Sequence, residues 1–324
     1  MPDTRRKRGS RSRARRRLAV VGIGAFVLVD LGLVAFALTR EPSGLAADAE
    51  PGPTSSTAAV GAQPSASPSA TQSVATEAVP PTRLLSAVDG DTAWRAEAGT
   101  CSPGAQATAP SLESTTTAGE TWAPSAVSTA IAPSGVDRLE ATDETTAFVV
   151  GPAGSTCAPA FSQTFSGGAA YADYPDRLTG SWYVARTDRG TVHSPAGGRA
   201  APCPVVVDLA VVSDAEGGVL CSDRTFFRTL DGGDTWDAGT VVDGAVSVTA
   251  DVGTYLVASV GAADCAGTAV SVPSSTPGSA ATRVGCAPAT SETPGAIALS
   301  AGTDALWLWA DDAVLVSTDG GVTW

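Results

Sequence analysis

A recurring eight-residue turn constrains this chain more than any other feature. Residues 229–236 read Thr-Leu-Asp-Gly-Gly-Asp-Thr-Trp and residues 317–324 read Ser-Thr-Asp-Gly-Gly-Val-Thr-Trp. Residues 115–122, Thr-Thr-Thr-Ala-Gly-Glu-Thr-Trp, keep the frame and lose the Asp. Asp-Gly-Gly between β-rich runs is a strong hairpin signal, because glycine adopts positive φ at little steric cost. The hydroxyls of Thr229 and Ser317 and the carboxylates of Asp231 and Asp319 can bond to backbone groups of their own turns. Gly233 and Gly321 bend the chain, Thr235 and Thr323 follow, and Trp236 and Trp324 open the next strand with a large apolar face. Each residue type has a structural use, so Asp231 and Asp319 are not nucleophile candidates.

The spacing makes the turn a repeat. Trp236 and Trp324 stand 88 residues apart, twice 44. Midway, residues 274–281 fit the frame with Thr276 at the Asp position. Upstream, Thr164 to Tyr171 fits loosely, and Asp188-Arg-Gly190 is a second weak match. The step from Tyr171 to Trp236 is too long for one unit, so residues 178–202 are expected to form an insertion or a further strand pair. A period of about 40–50 residues is that of a four-stranded propeller blade. Pro204 to Val212 is a nearly continuous apolar run, suited to an inner strand buried on both faces. Strands at 218–221, 225–229 and from 235 onward complete that unit. The last unit has strands at 296–300, 305–310 and 313–317, then its turn, and is left without an outer strand. An open ring, a donated segment and a truncated reading frame all fit that.

The pattern Ser/Thr-x-Asp-x-Gly-x-Thr-Trp resembles the Asp-box, or BNR repeat, of sialidases, sortilin-type receptors and related bacterial proteins. The resemblance implies an all-β fold, a β-propeller of about five blades, with the turns at the blade periphery and away from any ligand. It also makes a sialidase-type glycosidase a fair alternative. Sialidases share an Arg-Ile-Pro-type motif, three arginines that grip a carboxylate, and a Tyr–Glu nucleophile pair. Here the one Arg-x-Pro is Arg40-Glu-Pro42, outside the blades. Tyr171, Tyr174, Tyr183 and Tyr255 stand in no such frame, nor do Arg138, Arg177, Arg186, Arg189, Arg199, Arg224, Arg228 and Arg283. His193, the single histidine, has no acid nearby in a triad arrangement. There is no Gly-x-Ser-x-Gly elbow, His-Glu-x-x-His pair or phosphate-binding loop. No catalytic residue, cofactor site or metal site is assigned.

The amino-terminal third reads as topology. Residues 5–17 carry nine basic side chains, and residues 18–38 are apolar apart from Asp30. Twenty-one helical residues span roughly 31 Å, enough for a bilayer core of about 30 Å. The positive-inside rule then holds residues 1–17 in the cytoplasm as a basic tail and exports the rest. The expected organisation is a single-pass signal-anchor in the cell membrane, residues 18–38, with Ala35-Phe-Ala37 and Ala47-Asp-Ala49 as the competing cleavage sites. Residues 39–82 are rich in Pro, Ser, Thr and Ala and nearly free of large apolar groups, as in a disordered linker. Residues 83–324 form the extracellular domain.

Charge and cysteine usage agree with export. With nine basic residues confined to the tail, the part beyond residue 38 carries 11 basic and 31 acidic side chains, a net charge of −20. That argues against nucleic acid as a partner. The chain has one Lys, no Asn and three Ile, a composition typical of a GC-rich genome and, with the repeat, of a high-GC Gram-positive bacterial envelope. Cys101, Cys157, Cys203, Cys221, Cys265 and Cys286 are an even set in an oxidising compartment, without zinc-site spacing, and read as disulfides. All six fall after expected second or fourth strands, hence on the face opposite the repeated turns. Proximity along the chain favours Cys203–Cys221 and Cys265–Cys286, which leaves Cys101–Cys157. The functional expectation is a non-enzymatic interaction module for an extracellular protein, peptide or glycan.

Overall fold

A computed structural model describes residues 77–102, 108–125, 133–276 and 278–324. The expected basic tail, membrane span and most of the linker lie outside the described residues. Among the described residues no helix is long and apolar enough to cross a membrane. All described residues fall within the unit Thr71–Trp324.

Among the described residues, twenty-one strands form five blade-like sheets and a hairpin. The first sheet is β1 (Arg83–Ala87), β2 (Ala93–Glu97), β3 (Ser111–Thr115) and β4 (Ala123–Pro124). The second is β5 (Arg138–Ala141), β6 (Ala147–Ala153), β7 (Ala158–Thr164) and β8 (Ala172–Asp173), followed by a one-turn helix α1 (Pro175–Leu178). A hairpin, β9 (Thr191–Ser194) and β10 (Gly197–Ala200), separates these from the third sheet, β11 (Val206–Val211), β12 (Gly217–Cys221), β13 (Thr225–Thr229) and β14 (Thr240–Val241). The fourth is β15 (Ala245–Asp251), β16 (Thr254–Ser259), β17 (Thr268–Val272) and β18 (Thr282–Ala287). The fifth is β19 (Ile297–Gly302), β20 (Ala305–Ala310) and β21 (Ala313–Ser317). Strands pair antiparallel in chain order within each sheet, the up-and-down topology of a propeller blade.

Burial explains the strand sequences. The second strands β12 and β20 are buried along their whole length between neighbouring sheets and are accordingly almost purely apolar. The fourth strands β4, β8 and β14 are two residues long, which leaves little edge for unwanted pairing. Trp94 on β2 and Trp307 on β20 are 0 % exposed. Each reaches the next sheet: Trp94 Nε1 donates to Asp143 O (3.3 Å), and Trp307 Nε1 donates to Asp89 O (2.7 Å), joining the fifth sheet to the first.

Trp182 repeats that bond, with Nε1 on Ser213 O of the third sheet (3.0 Å). Residues 182–185 therefore hold the second-strand place of a partial sheet. Tyr183 exchanges both backbone bonds with His193 of β9 (3.0 and 2.9 Å), and β10 lies outside β9. The stretch 178–202 is thus a further strand pair plus one strand-like segment. Asp188-Arg-Gly190 precedes β9 and is not the turn of that unit. Ser194 takes the place of Thr229 instead: its Oγ accepts from the Ala196 N–H (3.1 Å), as Thr229 Oγ1 accepts from Asp231 (3.4 Å).

Candidate functional site

The two complete turns are built alike. Thr229 Oγ1 donates to Asp231 Oδ1 (2.8 Å) and accepts from Gly233 (2.9 Å), while the Asp231 carboxylate accepts from Thr235 N–H (2.9 Å) and Oγ1 (2.6 Å). Ser317, Asp319, Gly321 and Thr323 repeat the set at 2.7, 2.8, 2.9 and 2.6 Å. Where the Asp is lost, a hydroxyl replaces it: Thr121 N–H bonds to Thr117 Oγ1 (3.0 Å) and Ala170 N–H to Ser166 Oγ (3.1 Å). Bonds from the threonine hydroxyl and N–H hold Asp231 and Asp319 at about 2, below the ordinary 3.8. A depressed carboxylate stabilises the fold above its unfolded value and loses that contribution as pH falls. Asp231→Ala is therefore expected to lower the thermal midpoint at pH 7, with the gap to wild type closing as pH falls from 3.8 to about 2. A gap that persists unchanged at pH 2 would refute the assignment. Trp236 is half-exposed, and its Nε1 is buried without a partner, so the deepest tryptophans are Trp94 and Trp307 rather than the one in the turn.

The opposite face holds the disulfides, Cys101–Cys157, Cys203–Cys221 and Cys265–Cys286. Residues 77–82, assigned by composition to the linker, lie across this face. Ala78 is buried and its N–H bonds to Ser222 O (2.9 Å), and Thr82 N–H bonds to Gly295 O (2.8 Å). Beneath them opens a cavity of about 770 Å³, lined by the inner strands β1, β5, β11, β15 and β19 and by Gly180, Ser181, Trp182 and Val184.

A girdle of bonds ties these inner strands together. Asp208 Oδ2 accepts from Val248 N–H (2.9 Å), and Ser247 Oγ from Leu299 N–H (3.2 Å). Thr249 Oγ1 accepts from Ala301, Ser300 Oγ from Ala87 and Ser86 Oγ from Ala141, at 3.0, 2.9 and 2.9 Å. The girdle runs from β11 through β15, β19 and β1 to β5, and among the described residues no strand continues it back to β11.

The open junction gathers charge. Asp137, its side chain 2 % exposed, accepts from Arg186 Nε (2.9 Å) and N–H (3.1 Å). Arg186 also donates to Val136 O (2.9 Å) and Pro81 O (3.4 Å). Asp208 is half-buried, and desolvation raises its carboxyl above the usual range despite bonds from Val248, Ser247 and Leu209. Burial lowers the Arg189 guanidinium, and its Nε is buried without a hydrogen-bond partner. Arg138 is paired with Glu140 and Arg177 with Gln163, all four lining the same cavity. Arg199, Arg228 and Arg283 pair with Asp234, Asp237 and Asp264.

The remaining candidates are dispersed. Tyr171 bonds to Ser125 Oγ (2.8 Å), Tyr174 packs on Phe165, and Tyr255 packs on Phe226. Tyr183 stacks on His193 at 4.3 Å, and burial lowers that imidazole. Among the described residues no group of His, Cys, Asp and Glu is arranged to hold a metal ion. Sequence reasoning passed over Asp208. Its signal was a lone acid inside the apolar run 204–212, a position that demands hydrogen-bond partners. Arg189 carried no signal at all, since only the fold places it, half-buried, in the cavity wall.

No protein-family model matches the chain, and no curated protein matches it. Solved structures of similar shape include YCF48 bound to D1 peptide, with 16% identity, 78% of this chain and 81% of that chain covered and a TM-score of 0.37. YCF48 from Cyanidioschyzon merolae gives 16% identity, 77% and 84% coverage and 0.37. Trypanosoma rangeli sialidase gives 11% identity, covers 74% of this chain and 47% of its own, and has a TM-score of 0.28. All are β-propeller proteins, and by its own strand order this chain is a five-bladed β-propeller with a partial sheet between its second and third blades.

Proposed function

We propose that this chain is a membrane-anchored, extracellular propeller of the Asp-box type that binds a protein, peptide or glycan through the cavity on its disulfide-bearing face, without catalysing a reaction. Arg189 is the observation that carries this reading. A buried donor without a partner is costly, and Arg189 lines the cavity while its Nε is shielded from solvent without a hydrogen-bond partner. Five of the eleven arginines beyond the basic tail, Arg83, Arg138, Arg177, Arg186 and Arg189, stand around this cavity in an otherwise acidic domain. Asp137, Glu140 and Asp208 line it as well, so the ligand is expected to offer uncharged acceptors such as carbonyl groups here.

The sialidase-type alternative is disfavoured by the placement of the tyrosines, none of which bonds to a carboxylate among the described residues. The test uses the full-length chain in parallel against envelope extract, a glycan array and a panel of fluorogenic glycosides. Capture of a ligand that is lost in Arg189→Ala, with no glycoside turned over, is the expected result. Turnover of a sialoside would overturn it. Reporter fusions after residue 82 should be active only outside the cytoplasm, and cytoplasmic activity would overturn the topology.

A further inference from the structure

The girdle of inner strands is interrupted at one junction, and the groups on both sides of the interruption have taken local substitutes. Ser86 and Ser300 each accept from the next inner strand and precede a residue, Ala87 or Ala301, whose N–H is accepted in turn. Glu140 has that same place on β5, directly before Ala141, but it takes Arg138 of its own strand. Leu209 follows Asp208 as Val248 follows Ser247, so its N–H is level with that of Val248. With no strand before it, it bonds to Asp208 Oδ1 (2.9 Å).

The partial sheet is open on the same side. Tyr183 turns both backbone groups toward His193, so the antiparallel alternation turns those of Val184 toward the cavity. Val184 is buried, and its N–H and C=O have no backbone partner among the described residues. Buried backbone groups are nearly always paired. Here Val184, Glu140, Leu209 and Arg189 line one cavity, with the Leu209 N–H held by the Asp208 carboxylate of its own strand. The alternating donors and acceptors of a β-strand main chain match that set, and sugar hydroxyls do not repeat at strand spacing.

We propose that this junction is a strand-acceptor site, in which an extended segment of a partner polypeptide docks as the missing inner strand and pairs with Val184. The chain's own inner strands define the chemistry of the occupant. Leu-Ser-Ala recurs at 85–87 and 299–301, so a short, uncharged run of small residues with a Ser or Thr fits between the neighbouring strands. This mode adds main-chain bonds for affinity and uses alternate side chains for selection. It rests on the reading that the cavity is the binding site.

The test uses the full-length chain and a fluorescein-labelled peptide that copies residues 295–302, Gly-Ala-Ile-Ala-Leu-Ser-Ala-Gly. Saturable binding is expected, with slower hydrogen exchange in the segment 182–185. N-methylation of the two peptide amides facing Val184 should weaken binding at least about tenfold, since each lost bond is worth about 1 kcal/mol. Glu140→Ala should weaken it about fivefold. Because the N-methylated peptides leave the protein unchanged, the result does not depend on how a variant folds. Absence of saturable binding, equal binding of the N-methylated peptides, or protection only outside 182–185 would overturn the site. If the peptide fails while an Arg189-dependent ligand is still captured, the strand-acceptor site falls and the binding-module reading stands. If both fail, both fall.

Discussion

Trp307→Ala is expected to destabilise the domain by about 3–5 kcal/mol, the range for emptying a buried tryptophan site. The indole is completely buried between the fifth and first sheets, in a cluster with Ala87 and Ala93 and edge-on to Trp122. Its Nε1 bond to Asp89 O is a direct link across the seam where the last sheet meets the first. Removal leaves a cavity at that seam and a carbonyl without its donor. Chemical denaturation of the full chain should show the midpoint fall with little change in m-value. Trp236→Ala, whose side chain is half-exposed, should cost clearly less. Equal losses at the two sites would mean that the seam is not the weak point of the ring.

The second large effect is expected from the Cys101–Cys157 bond. It is the one disulfide that joins two different sheets, with a sequence separation of 56. Closing a loop of that length restricts the unfolded chain by about 4 kcal/mol on the chain-entropy model, against about 3 for the 18-residue separation of Cys203–Cys221. Cys101→Ser with Cys157→Ser should therefore lower stability more than Cys203→Ser with Cys221→Ser. The reverse order, measured under oxidising conditions, would show that native packing around Cys221, buried in β12, outweighs the entropy of the longer loop.

Local chemistry made much of this molecule legible from residues alone. The Asp-Gly-Gly turns needed positive φ, and Gly232, Gly233, Gly320 and Gly321 all adopt it. The steps between turns fixed the number of strands per unit, and alternation of turns fixed which end of a sheet each cysteine occupies. Those signals survive in sequence because each depends on a few adjacent residues. Even the decayed copies at 115–122 and 164–171 keep the Thr hydroxyl that receives the glycine N–H.

What sequence did not carry was anything set by the junctions between sheets. Glu140, Val184, Arg189 and Asp208 come from four separate stretches, and none belongs to the repeated turn. Their meaning depends on one inner strand being absent from the partial sheet, which no local pattern encodes. Trp182 is informative only because its indole reaches Ser213 as Trp307 reaches Asp89. Hydrogen-bond periodicity along the chain determined the blades. The meeting of non-neighbouring edges around the channel, a matter of tertiary packing and burial, decided where a backbone edge, that of Val184, is left without a backbone partner among the described residues.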